Sequence, residues 1–376
     1  MKFYTVEGKK KSIFNVYAIY YTCMVVFCLI RIFANSGLLQ FSDTAYSIII
    51  QIGTLFLLPF VLYMIMLKVK PREVFEHCNF SKININVILI SLGLGVLCFI
   101  INVAVSSLFN GMIAFSGYRA GSGSGGSADW STGNFFLQLL LVAVLPAFCE
   151  EFLHRGILLQ GTKHAGFKRA IVISSLLFAL LHFNVQQVFY AFVIGLILGF
   201  VAVVSKNIFP AMIIHFVNNA IATYLSFAEQ RGWFMGDIYT NLEAFLKNNN
   251  MFVVFFTVAV VMVVVVILLC LFIWLLYKQS IIRKVDKAVS RAYSKFSVLS
   301  RNERIKIGED HEVIIDLLES NTLLNLDFKV MDNPVDIVMP KEKSRYKVSK
   351  KDIVFLWGAI VMGVLVTVFT YTWGLF

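Results

Sequence analysis

The sequence predicts an all-α fold: a polytopic transmembrane helix bundle of about nine spans, with a cytoplasmic soluble segment before the last one. Three observations carry this. Of the 376 residues, 59% are hydrophobic and only 15% charged, against about one quarter charged in soluble chains. Several uninterrupted apolar stretches reach or exceed the roughly 20 residues that cross a bilayer as a helix, and helices or closed barrels are the only spanning solutions. The cations fall in short blocks beside these stretches, where topology and anionic headgroups account for a net charge of +11. No basic recognition module is visible, so no nucleic-acid partner is expected; the lipid bilayer is.

Hydropathy places the spans near residues 13–32, 46–67, 87–109, 136–159, 171–183, 188–204, 208–227, 251–277 and 353–373. The first follows the basic Lys9, Lys10 and Lys11 but is longer than the apolar part of a signal peptide, and reads as an uncleaved anchor. The fifth and sixth are short, and the polar run Asn184 to Gln187 between them reads as a tight hairpin enclosed by protein rather than lipid. Basic loops (Lys9 to Lys11; Lys68, Lys70, Arg72 and Lys82; Lys163, Lys168 and Arg169; Lys206) alternate with loops poor in cations. Cations concentrate on the cytoplasmic side, which with an odd number of spans puts the amino terminus inside and the carboxyl terminus outside; the expected location of this multi-pass protein is a prokaryotic cell membrane. The chain divides into amino-terminal spans (1–134), a polar-bearing core (135–228), an outer loop with the eighth span (229–277), a hydrophilic segment (278–352) and the last span (353–376). Within the hydrophilic segment, Lys284 to Phe296 interleaves basic and apolar residues, the pattern of an amphipathic helix at the membrane surface or of a solvated one. Five of the six cysteines fall in apolar runs and no CxxC pair occurs, so neither a disulfide framework nor a thiolate metal site is indicated.

Ionisable side chains inside spans cost at least a few kcal/mol each to insert, and here they cluster. The fourth span carries Glu150, Glu151, His154 and Arg155 behind Pro146; the fifth carries His182; the seventh carries His215 beside Asn218 and Asn219. Elsewhere Arg31 stands near an outer end, where it can snorkel. At about 1.5 Å of rise per residue, Glu150, His182 and His215 arrive within about one turn of a common depth. Adjacent helical residues point about 100° apart, so Glu150 and Glu151 cannot both face one cavity, whereas Glu151 and Arg155, four apart, can pair. His215 and Asn219 share a face for the same reason. Pro146 removes a backbone donor and frees the carbonyl one turn earlier. Spacing leaves two readings open: interhelical polar glue, or a hydrolytic centre in which Glu150 and His182 activate water while His215 and Asn219 hold an oxyanion.

The run Glu150-Glu151-Phe152-Leu153-His154-Arg155-Gly156 resembles the EExxxRG motif of the CAAX-protease and bacteriocin-processing family, which includes the type II CAAX prenyl endopeptidases. Phe178 to His182 is similar to its FxxxH motif and His215 to Asn219 to its HxxxN motif, in the same order on successive polar-bearing spans. The resemblance implies an intramembrane glutamic-type endopeptidase acting on a membrane-associated, prenylated or leader-bearing peptide. Glu150, His182, His215 and Asn219 would be catalytic, and Glu151, Arg155 and Phe178 would support them. No cofactor is expected. Zinc held by Glu150, His182 and His215 is the alternative, disfavoured because HExxH is absent and spacing places no carboxylate behind each histidine. A non-enzymatic immunity or transport-accessory protein of the same fold is the alternative function.

Overall fold

The computed structural model describes residues 6–118, 129–298 and 350–373. Most of the hydrophilic segment 278–352 lies outside the described residues, as does the Gly-Ser-rich run 121–127. Eleven helices of functional interest occur in chain order: α1 (Val6–Asn35), α2 (Asp43–Leu67), α3 (Pro71–His77), α4 (Ile85–Phe115), α5 (Thr132–Thr162), α6 (Phe167–Leu181), α7 (Val185–Ser205), α8 (Phe209–Arg231), α9 (Ile238–Asn248), α10 (Met251–Val298) and α11 (Val354–Trp373). Among the described residues, eight of these are long and apolar enough to cross a membrane. The ninth expected span exists as α6, but its 15 residues make it the short arm of the anticipated hairpin. Phe183 takes a left-handed conformation (φ 49°) at its tip, and the Asn184 side chain caps α7 by accepting from the Gln186 N–H at 3.0 Å. The helix expected after Tyr277 does not start anew, since α10 continues through the span to Val298 without a break.

Two apolar cores flank the middle of the bundle. One gathers α1, α2, α3, α5, α6 and α11 around Tyr17, Tyr20, Phe152 and Leu158. The other gathers α4, α7, α8 and α10 around Leu94, Leu198, Ile214 and Val265. Glycines set the two approaches that matter for the site. A Cβ on Gly195 would lie 3.1 Å from the Ser175 Cα, tighter than ordinary contact, so glycine suits the close approach of α7 to α6. A Cβ on Gly95 would lie 2.5 Å from the Val217 Cβ, so the same holds for α4 against α8. The polar residues of α5, α6 and α8 therefore sit at the seam between the two cores.

Two spans depart from α geometry. In α2 a π-helical stretch (Ile49–Leu57) precedes an α segment whose second residue is Pro59. In α5 the π stretch Leu139–Val144 precedes a segment whose second residue is Pro146, and a further π stretch (Phe152–Leu158) follows. A proline has no N–H for the preceding turn, and wide turns of this kind are one of the ways a helix absorbs the loss. π stretches also concentrate at functional sites; here they bracket Glu150 and carry Gln51.

Candidate functional site

Glu151 and Arg155 lie four residues apart on α5, both fully buried, with Arg155 Nη1 donating to Glu151 Oε1 at 2.8 Å. Arg155 Nη2 also donates to the Gly195 carbonyl at 3.1 Å, tying α5 to the α7 backbone. The same Glu151 oxygen accepts from His215 Nδ1 at 2.9 Å. The expectation that no carboxylate stands behind the histidines is thus corrected for His215. Spacing within α5 could not show it, because the contact joins two helices 64 residues apart.

Phe178 is the hub of the site. The rings of His154, His182 and His215 meet it edge-on at centroid distances of 5.1, 5.1 and 5.7 Å, and Arg155 Cζ lies 4.5 Å from its centroid. One aromatic ring thereby brings together three histidines from three helices and fixes their spacing. A guanidinium over its face gains cation–π attraction that is strongest away from water.

Each histidine has its Nδ1 committed. A carbonyl only accepts, so Nδ1 of His182 donates to the Phe178 carbonyl at 2.9 Å and Nδ1 of His154 to the Glu150 carbonyl at 2.7 Å. In the neutral rings Nε2 then carries the lone pair. For His154 that nitrogen lies 3.4 Å from the Tyr20 hydroxyl, whose proton goes to the Leu177 carbonyl at 2.8 Å. His182 is half-buried at the end of α6. Its carbonyl accepts from Arg31 Nη1 at 3.3 Å, so Arg31 closes the end of α6 rather than only reaching for headgroups.

Glu150 is half-buried. Its carboxylate accepts from Gln51 Nε2 of α2 at 2.9 Å. No hydrogen bond joins it to His182 or His215 among the described residues; the link of Glu150 to the Phe178 ring runs through its backbone carbonyl and His154. Asn219 is the end of a directed chain: Ser106 Oγ donates to Asn102 Oδ1, Asn102 Nδ2 to Asn218 Oδ1, and Asn218 Nδ2 to Asn219 Oδ1 (3.0, 3.2 and 2.8 Å). Asn219 Nδ2 donates to the Val142 carbonyl at 2.9 Å. Val142 stands four residues before Pro146 and is therefore the carbonyl whose α-helical donor the proline lacks. One amide hydrogen of Asn219 serves that carbonyl, and the other has no hydrogen-bond partner among the described residues.

Among the described residues, no three His, Cys, Asp or Glu side chains are grouped so as to hold a metal ion. Gln51, Tyr20, His154 and Asn102 join the site without having been picked out as site residues. Three of the four are uncharged, and a search keyed on ionisable residues passes over them.

Fold and site define a multi-pass membrane protein with a polar, hydrogen-bonded centre enclosed between its spans. Residues 132–221, from the start of α5 to the middle of α8, match the family model of type II CAAX prenyl endopeptidase Rce1-like proteins. The match supports, over this segment, the family that the three motifs imply. No curated protein and no solved structure matches the chain.

Proposed function

We propose that the protein is a metal-free intramembrane endopeptidase that hydrolyses a peptide bond in a lipidated or otherwise membrane-associated peptide. Glu150 takes a proton from water, and His182 assists through Nε2. The hydroxyl attacks the scissile carbonyl. Asn219, through its second amide hydrogen, and His215 hold the resulting oxyanion, and the proton passes on to the leaving amine. The observation that supports this reading most is the allocation of the two glutamates. Glu151 is fully buried and bound to Arg155 and His215 through one oxygen, whereas the Glu150 carboxylate is half-buried and meets only the neutral Gln51 amide, in the family-matched segment.

The test is cleavage of an internally quenched, farnesylated CAAX peptide by the purified protein in proteoliposomes. Cleavage that is lost in Glu150→Ala and unaffected by chelator supports the proposal. Undiminished cleavage by Glu150→Ala removes it. The proposed orientation, with the basic loops in the cytosol, places a reporter fused after Tyr277 inside and one at Phe376 outside; the reverse at either point refutes it.

A further inference from the structure

Four amide and hydroxyl side chains run in line from α4 to α8, and two of them, Ser106 and Asn102, lie outside the family-matched segment. The line ends on the Val142 carbonyl, which can only accept. That end sets the direction of every amide before it. Asn219 turns Nδ2 to Val142, which leaves its Oδ1 to accept from Asn218 Nδ2 at 2.8 Å. Asn218 then faces α4 with Oδ1, which accepts from Asn102 Nδ2 at 3.2 Å. Asn102 in turn keeps Oδ1 for the Ser106 hydroxyl at 3.0 Å. Reversing the Asn218 amide would set oxygen against oxygen at Asn219 and nitrogen against nitrogen at Asn102.

Asn218 is buried, and Asn102 is the donor that its side-chain oxygen has among the described residues. A buried acceptor that loses its donor is costly, so Asn102 is what makes this orientation of Asn218 the favoured one. The asparagine side chain is short, and the bridge needs α4 and α8 close together. Gly95 stands two turns before Asn102 on the same face of α4. A Cβ there would lie 2.5 Å from the Cβ of Val217, the neighbour of Asn218, so the glycine that brings the helices together and the amide that joins them act at one seam.

We infer that Asn102 is a positioning residue: the hydrogen bond it donates holds Asn218 and, through Asn218, fixes which way the Asn219 amide faces. The inference rests on the reading of Asn219 as an oxyanion donor. That reading uses the second hydrogen of Asn219 Nδ2, and the amide is gripped at both ends, by Val142 at its nitrogen and by Asn218 at its oxygen. With the Asn102 donor absent, Asn218 is free to turn its own oxygen to Asn219 Oδ1, and the Asn219 amide loses its aim.

The experiment uses the full chain in nanodiscs, the farnesylated CAAX peptide as probe, and two variants. Asn102→Leu removes the donor and stays close in size. The expected result is a fall in kcat of about tenfold with KM held, smaller than the loss in Asn219→Ala, because the oxyanion donor is misaimed rather than absent. Asn102→Asp keeps the shape and puts the donor under the control of pH. Its carboxyl group, when protonated, donates to Asn218 Oδ1 and still accepts from Ser106; when ionised it only accepts. Its kcat relative to wild type at the same pH should therefore fall as pH rises, in step with the protonated fraction read from the carboxyl C=O infrared band. A packing role gives no such dependence. Side-chain amide resonances supply a readout independent of turnover: the Asn219 signals, assigned by their loss in Asn219→Ala, should move in Asn102→Leu. Unchanged kcat in Asn102→Leu beside an impaired Asn219→Ala overturns the inference and leaves the reading of Asn219 standing, as does a deficit in Asn102→Asp that does not follow its protonation. Wild-type kinetics in Asn219→Ala overturn that reading and the inference with it. If wild-type protein leaves this peptide uncut, the amide signals decide: their displacement in Asn102→Leu sustains the hold on Asn219, and their constancy refutes it.

Discussion

Glu151→Ala should unfold the bundle's centre, and the magnitude follows from what the carboxylate holds. Its Oε1 receives both Arg155 Nη1 and His215 Nδ1, and the side chains of Glu151 and Arg155 are wholly buried. Truncation leaves a guanidinium with only the Gly195 carbonyl and the face of Phe178. Breaking one half of such a buried pair costs about 3 to 5 kcal/mol. Glu150→Ala, by contrast, releases one amide hydrogen bond at a half-buried position and should cost about 1 kcal/mol. A third variant separates stability from chemistry. Replacing both partners, Glu151→Met with Arg155→Met, removes the charge together with its counter-charge, and such swaps are often neutral or stabilising. That double variant should recover the stability lost in Glu151→Ala yet stay impaired in turnover, because His215 Nδ1 no longer has an acceptor to fix its ring. Reversible unfolding in mixed micelles, with cleavage measured on the same preparations, reads both quantities. Equal stability of the two single glutamate variants, or full activity of the double variant, would refute the division of labour between Glu150 and Glu151.

Asn219→Ala should lower kcat by on the order of a hundredfold with little change in KM, since an oxyanion contact forms mainly in the transition state. Asn218→Ala should lower it less, yet measurably. Its side chain packs toward α4, but its Nδ2 also orients the Asn219 amide; steady-state kinetics on both variants checks the order. Pro146→Ala restores a backbone donor for the Val142 carbonyl and should free Asn219 Nδ2 from it, changing kcat while the protein stays folded. Wild-type kinetics in that variant would mean the carbonyl does not position Asn219. Chelators should leave cleavage unchanged, whereas loss on chelation and recovery with added zinc would replace the metal-free scheme.

Much of this arrangement was legible in the sequence because insertion into a bilayer filters residues so strongly. Hydropathy located the spans to within a few residues, and the i, i+4 relation of Glu151 and Arg155 has its counterpart in a 2.8 Å ion pair. The hairpin at Asn184 was readable from its polar turn. Other features were not. The π stretches follow from prolines and tertiary packing together, so a purely α-helical wheel misplaces some side chains of α2 and α5. The contact of His215 with Glu151 depends on how α8 rotates against α5, which the close approach of Gly95 to Val217 helps to set. The three-histidine collar around Phe178 is likewise invisible until α5, α6 and α8 are packed.

The residues that complete the site share a physical origin. Within the hydrocarbon layer no bulk water satisfies a stray donor or acceptor, so each polar atom of the family-matched segment must find its partner in protein. For Glu150, His182 and Asn218, part of that partnership comes from spans outside 132–221: Gln51 on α2, Arg31 on α1, Asn102 on α4. These are single residues in otherwise apolar helices and form no motif with one another. A match confined to α5 through α8 therefore leaves out side chains that hold its polar groups in place. Which polar atoms of the family-matched segment remain free is thus set in part by α1, α2 and α4.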